Sequence, residues 1–413
     1  MVGACPTEER PIEDGGLSVM SEGQRAAPTI VLSVCVATAV AILYSGPISA
    51  DQYHDFRTHV ASAAEMLAKR QILVPHFFFH LATILVASLM GAELAPTAVA
   101  LASAAQGITC LLLIVLIRYG GETLGLSRPV PTPTALLAGF ALSFVGPLSL
   151  LSFPNLYLGY PGISCAHNPT IILLRPLAVT LFVITLRLLA AESWGQWSRL
   201  AISAAILAVA GGLTKPSYNV CLAPALALLL LFRFRRQGSL STKAGATFAI
   251  LALSIAAITV WQVRFIYGGE GDASIAFAPL KVLNFRNHQN SILTLSRLAL
   301  GLAFPIFVAI AYRKAKACTS DAFRLSWLAT VMAIGSGYLL AETGPRAMHG
   351  NLTWSLQVCL LILMAVSLAV FLSEEDWFHG PDPTRPTLRT MAGALIFFLH
   401  FASGLIFIAF GTR

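Results

Sequence analysis

The sequence predicts an all-α protein, a polytopic transmembrane bundle of about 11–12 hydrophobic helices. Three observations carry this. The 413 residues are 56% hydrophobic and only 11% charged, whereas a soluble domain carries about 25% charged residues. Apolar runs such as "TIVLSVCVATAVAILYSGPI" are long enough to cross a hydrocarbon core of roughly 30 Å. Lys and Arg gather in short loops beside those runs, as topology requires. The net charge of +8 is therefore a matter of membrane orientation, and no nucleic-acid partner is expected.

In chain order, residues 1–28 are polar and acidic and read as a disordered tail. "ISA" closes the first apolar run like a cleavage site, but no positive n-region precedes it. Apolar helices are expected at 29–48, 77–92, 95–117, 134–153, 170–191, 200–213, 219–232, 246–265, 295–312, 325–341, 355–373 and 389–411. The runs at 77–92, 200–213 and 219–232 are short for full crossings. The seven Cys are scattered, most of them inside apolar runs, and form no CxxC pair, so neither a disulfide framework nor a zinc site is expected.

The basic loops "RFRRQGSLSTK" (233–243) and "RKAKACTSDAFR" (313–324) mark the cytoplasmic face. Alternation then places 154–168, 214–218, 266–294 and 342–351 on the outer face. If every run crosses, loop 49–76 lies in the cytoplasm. If the short 77–92 run does not cross fully, that loop joins the others outside, and this second topology is the one adopted.

The outer loops hold an unusual share of ionisable groups, and such groups at a membrane are functional candidates by default. "DQYHDFRTHVASAAEMLAKR" begins with Asp51, His54, Asp55 and His59. Asp51, Asp55 and His59 are spaced four apart, so on a helix they share a face. The residues after them suit an amphipathic helix in the interface. A carboxylate there can act as general base toward a hydroxyl; the alternative is a solvated loop with Asp–Arg57 pairing. His167 and Asn168 precede a helix, and Arg175 lies inside it, suited to a phosphate or to a structural ion pair. Lys215 in "GGLTKPSY" suits a phosphate, or snorkels to the interface. Arg286 and His288 in "RNHQN" and Glu342, Arg346 and His349 in "ETGPRAMHGN" complete the candidates for substrate binding. Arg346 suits a bidentate phosphate clamp. His76 and His80, four apart around three Phe, read as interfacial packing rather than metal ligands. No nucleotide-binding glycine loop, zinc-protease helix or GxSxG elbow is present.

The order of these features resembles the GT-C superfamily of polytopic glycosyltransferases that use polyprenyl-phosphate-linked sugars. The first apolar helix runs into the acidic loop "ADQYHDFRTHVASAAEMLA", then the proline-aromatic entry "LVPHFFFHLATILVASLMGAELAP". "LLLIVLIRYGG", "HNPTIILLRPLAVTLFVITLRLL" and "LAVAGGLTKPSYNVCLAPALALLLLF" follow. The resemblance covers roughly 29–235, a GT-C-like catalytic module, and leaves 236–413 as variable C-terminal helices. It implies a GT-C-like fold and sugar transfer from a polyprenyl-phosphate donor to a glycan, lipid or protein acceptor. It implies hexosyl or pentosyl transfer with inversion, on the periplasmic face of a bacterial inner membrane. It also implies a loop Asp as base, Asp55 or Asp51, and basic residues that hold the lipid phosphate. "DFRTH" matches an Asp-x-x-x-His form and favours Asp55. One departure stands out: many members carry a second acid where this chain has Thr170 in "HNPT". No cofactor is expected, and a divalent metal is not favoured. The alternatives are an envelope polysaccharide polymerase or ligase, a lipid-linked sugar transporter with inverted repeats, and a non-catalytic scaffold.

Overall fold

The computed structural model describes residues 22–49, 54–148, 168–267, 274–286, 289–375 and 386–410. All twelve apolar runs form helices. The first half comprises α1 (Glu22–Ser49), α2 (His54–Lys69), α3 (Phe78–Met90), α4 (Leu94–Tyr119), the single turn α5 (Gly121–Leu124), α6 (Thr132–Phe144), α7 (Pro169–Ala190) and α8 (Trp194–Thr214). The second half comprises α9 (Asn219–Gln237), α10 (Thr242–Tyr267), α11 (Lys281–Arg286), α12 (Ser291–Gly301), α13 (Ala303–Ala311), α14 (Asp321–Leu339), α15 (Trp354–Glu374) and α16 (Leu388–Phe410). Two short strands, β1 (Ile275–Phe277) and β2 (Leu340–Glu342), pair antiparallel with Ile275 opposite Glu342.

Seven described helices are long and apolar enough to cross a membrane, or eight if α12 and α13 are one span bent by 56°. The chain is a multi-pass integral membrane protein. A membrane interior offers no water to backbone N–H and C=O groups, so helices that satisfy their own are the stable solution. The lipid-facing helices keep apolar side chains outward: Ile42, Ile202 and Leu253 are exposed. By contrast, α15 is buried on every face from Ser355 to Ser373. A helix apolar all round belongs in the centre of a bundle, and α14, α13 and α7 pack around it.

Small residues set the closest approaches. A Cβ on Gly107 of α4 would lie 2.7 Å from the Ala37 carbonyl oxygen of α1. This is the small-residue contact that membrane helices use where apolar burial gives little drive.

Several boundaries differ from the sequence expectation for identifiable reasons. The α3 helix has 13 residues, about 20 Å at 1.5 Å per residue, well short of a bilayer core. The α6 helix stops at Phe144 rather than 153, because Gly146 and Pro147 follow. Its freed backbone is taken up by α16: Gly146 N–H donates to the His400 carbonyl at 2.9 Å. The α8 helix begins at Trp194, capped by Ser193, and its 21 residues make it a full-length span where the apolar run alone looked short. The α1 helix begins at Glu22, inside the stretch read as tail.

Candidate functional site

The interfacial helix expected after the first span is α2, and it carries Asp55 in its first turn. Asn168 stands at the N-cap of α7, and its Nδ2 donates to Asp55 Oδ2 at 3.1 Å. Asn168 Oδ1 accepts from the Ile171 amide at 3.1 Å and from the Thr170 hydroxyl at 2.6 Å. The acid on α2 is thus tied to the start of a membrane helix, where the helix dipole favours negative charge.

One turn along α2 from Asp55 is His59. Its Nδ1 shares a hydrogen bond of 2.9 Å with Nε2 of the buried His80 on α3. His76 completes the group, its ring centroid 6.1 Å from that of His59. Burial pushes the His59 imidazole well below its ordinary range, and neighbouring His80 and Lys215 add to the effect. Burial also lowers His76 to about 3, with Lys215, His80 and Arg346 contributing. Both rings are therefore neutral at physiological pH, and each can offer one N–H donor and one acceptor nitrogen.

His76 opens onto a cavity of about 340 Å³. Lys215, Pro216 and Ser217 of the α8–α9 turn form one wall, and Glu342, Arg346, His349 and Asn351 of the segment between α14 and α15 form another. The third wall is the C-terminal end of α10, with Thr259, Gln262, Val263 and Ile266. Gln262 fixes this assembly. Its Nε2 donates to the Pro75 carbonyl at 3.0 Å and to the Gly212 carbonyl at 2.8 Å, which binds the His76 loop to the end of α8. Lys215 is 7% exposed and its ammonium lies 4.8 Å from the Trp354 ring centroid, a cation–π contact that holds the charge at the cavity wall. Glu342 Oε2 accepts from Asn351 Nδ2 at 2.8 Å. The β1–β2 pair fixes this wall, because Glu342 is a β2 residue and Ile275 of β1 also lines the cavity.

The candidates named from sequence fall into three groups. Asp55 and Asn168 meet at the α2–α7 junction and His59 bonds to His80 of α3, while Lys215, Glu342, Arg346 and His349 line the cavity. Arg175 stands apart: it is fully buried, donates from Nη1 to Gln106 Oε1 at 2.9 Å, and does not line the cavity. Asp51, His167 and His288 lie outside the described residues, as do the side chains of His54 and Arg286. Asn290, beside them in sequence, caps α12 through Leu293 N–H. Sequence reasoning set His76 and His80 aside as packing, yet they join His59 to the cavity. Their signal was the four-residue spacing with a third His one loop away. Gln262 and Trp354 gave no comparable signal.

Fold and site together define a multi-pass membrane protein with a cation-lined cavity at one end of its bundle, beside an interfacial helix that carries an acid. No family model and no curated protein matches the sequence. Among solved structures, the chain is similar to ArnT from Cupriavidus metallidurans in the apo state, with a TM-score of 0.51 at 13% identity. The likeness covers 83% of this chain and 60% of the ArnT chain. At that identity it shows the fold alone, a polytopic helical architecture similar to that of ArnT.

Proposed function

We propose that this protein is a membrane glycosyltransferase that moves a sugar from a polyprenyl-phosphate carrier to an acceptor hydroxyl on the periplasmic or lumenal face. The observation that carries the reading is the convergence of Lys215 and Arg346 on a cavity that His76 also lines, with the His59 ring 6.1 Å from that of His76 and Asp55 one turn from His59 on α2. The wall formed by Val263 and Ile266 is apolar, and α10 shows lipid an exposed face. Such a cleft suits a donor whose phosphate sits among cations and whose tail leaves into the bilayer.

In the proposed reaction Asp55 accepts the proton of the acceptor hydroxyl as its oxygen bonds to the anomeric carbon. The bond from that carbon to the phosphate oxygen breaks, and the electron pair leaves on the polyprenyl phosphate. Lys215 and Arg346 stabilise the charge that develops there. A single displacement inverts the anomeric configuration, as with the one-base logic of inverting glycosidases. His59, His76 and His349 supply hydrogen bonds to phosphate or sugar. No metal-dependent step is assigned. Asp55 meets the Asn168 amide. The transporter reading centres on broken helices around a site; here the bent pair α12–α13 contributes nothing to the cavity lining.

The test is transfer from a panel of radiolabelled polyprenyl-phosphate hexoses and pentoses in membranes containing the protein. Asp55→Asn should lower the rate about 10²- to 10⁴-fold, the usual contribution of a general base. Transfer by Asp55→Asn at the native rate would remove the base assignment.

A further inference from the structure

The Thr170 that replaces the second acid of GT-C relatives is bonded to the neighbour of Asp55. Asn168 is 2% exposed and Thr170 is 0% exposed. The side-chain Oδ1 of Asn168 accepts from both the Ile171 amide and the Thr170 hydroxyl. An amide turned the other way would point its NH₂ at the Ile171 N–H, so the orientation is determined by its partners. The Nδ2 protons then face α2, and one is donated to Asp55 Oδ2 at 3.1 Å.

The geometry points to Asn168, locked by Thr170, as the positioning residue for Asp55. This rests on the reading of Asp55 as base. The pair holds one carboxylate oxygen at the N-terminus of α7 and assigns Oδ1 to the acceptor proton. Because α2 is an interfacial helix at the edge of the bundle, this bond also determines where the base stands relative to the cavity. A neutral amide does this without adding a second negative charge. The partner that Asp55 meets at the start of α7 is therefore an amide, where the family resemblance leads one to expect an acid nearby.

Three substitutions test the proposal. Thr170→Val keeps the side-chain shape but frees the amide to turn. Transfer should fall about tenfold in kcat with the donor KM unchanged, the pattern of a lost transition-state interaction. Thr170→Ser should restore it. Asn168→Asp keeps a good N-cap but sets a second carboxylate against Asp55. One proton is then retained by the pair to higher pH, so the rise of kcat with pH should move up by about one unit or more. The same shift should appear without any substrate, in an infrared pH titration of the purified full chain, on the carboxyl band that Asp55→Asn removes.

Native kcat for Thr170→Val, or an unshifted titration for Asn168→Asp, would overturn the proposal. The two failures are separable. Native transfer by Asp55→Asn overturns the base reading itself. An inactive Asp55→Asn with an unmoved Asn168→Asp profile overturns only the positioning role.

Discussion

The two ends of the bundle handle charge differently. At the end away from the site, Arg187, Arg199 and Arg233 share a cavity of about 780 Å³ with Glu122, Glu192 and Asp321. Three cations face three carboxylates, and several are bonded within the fold. Arg233 pairs with Asp321, Arg199 Nε donates to the Gly195 carbonyl at 3.2 Å, and Lys243 donates to the Ala191 and Glu192 carbonyls. At the site end, Lys215 and Arg346 share their cavity with one carboxylate, Glu342. The other ionisable lining groups are His76 and His349, and His76 is held neutral. Matched charge is what a loop needs to anchor a topology at a membrane surface. A local surplus of cation beside the neutral His76 imidazole is what a phosphate group needs. On the proposed function, this difference is what distinguishes the basic residues assigned to phosphate from those that pair within the fold.

The largest effect that sharpens this contrast comes from removing one cation at each end. Lys215→Met should cost about 10²-fold in transfer from a polyprenyl-phosphate sugar, the scale of one lost electrostatic contact to a leaving group. Arg346→Met should behave alike. Arg199→Met, measured in the same membranes, should stay within about twofold, as a surface charge does. Equal losses at both ends would show that the charge asymmetry does not mark the site.

Much of this arrangement was legible in the sequence, and the part that was not has a physical reason. The helices were readable because apolar runs of membrane length have few other solutions. The acid on α2, Asn168 and the cation at Lys215 could be named as candidates because polar and ionisable residues in a greasy chain stand out, but the N-cap role of Asn168 and its bond to Asp55 could not. The grouping was not readable. His80 looked like packing because its partner His59 lies 21 positions earlier across a loop. Gln262 looked like an ordinary residue of a span until its amide was seen to bridge two loops. Arg175 suited either a phosphate or a structural pair, and the sequence does not show that Gln106 of α4 faces it. Periodicity reports which face a residue occupies; it does not report what the neighbouring helix brings to that face.

A smaller effect follows from His76. A histidine in the unfolded chain titrates near 6.5, and burial lowers His76 to about 3. Between those values the unfolded chain binds a proton that the folded one does not. The stabilisation is therefore full above about pH 6.5 and is lost as pH falls toward the folded value. Melting temperatures of the protein in detergent should drop between pH 7.5 and pH 4.5, and His76→Asn should flatten that drop. Parallel slopes for the two proteins would mean that His76 takes up its proton inside the fold. No basic residue at the opposite end should produce this signature, because arginine stays charged throughout that range.

The smallest effect belongs to the Arg233–Asp321 pair, which joins the end of α9 to the start of α14. Its side chains are 22% and 29% exposed, so water screens the attraction. A pair so placed contributes about 0.2–1 kcal/mol in double-mutant cycles. Arg233→Gln, Asp321→Asn and the double variant should therefore show a coupling in that range by thermal or denaturant unfolding in detergent. Transfer activity should be unchanged in all three, because the pair lies across the bundle from Asp55 and Lys215. A loss of transfer in Arg233→Gln without a matching loss of stability would make the matched end part of the functional apparatus, and the contrast between the two ends would then have to be drawn on binding rather than on charge.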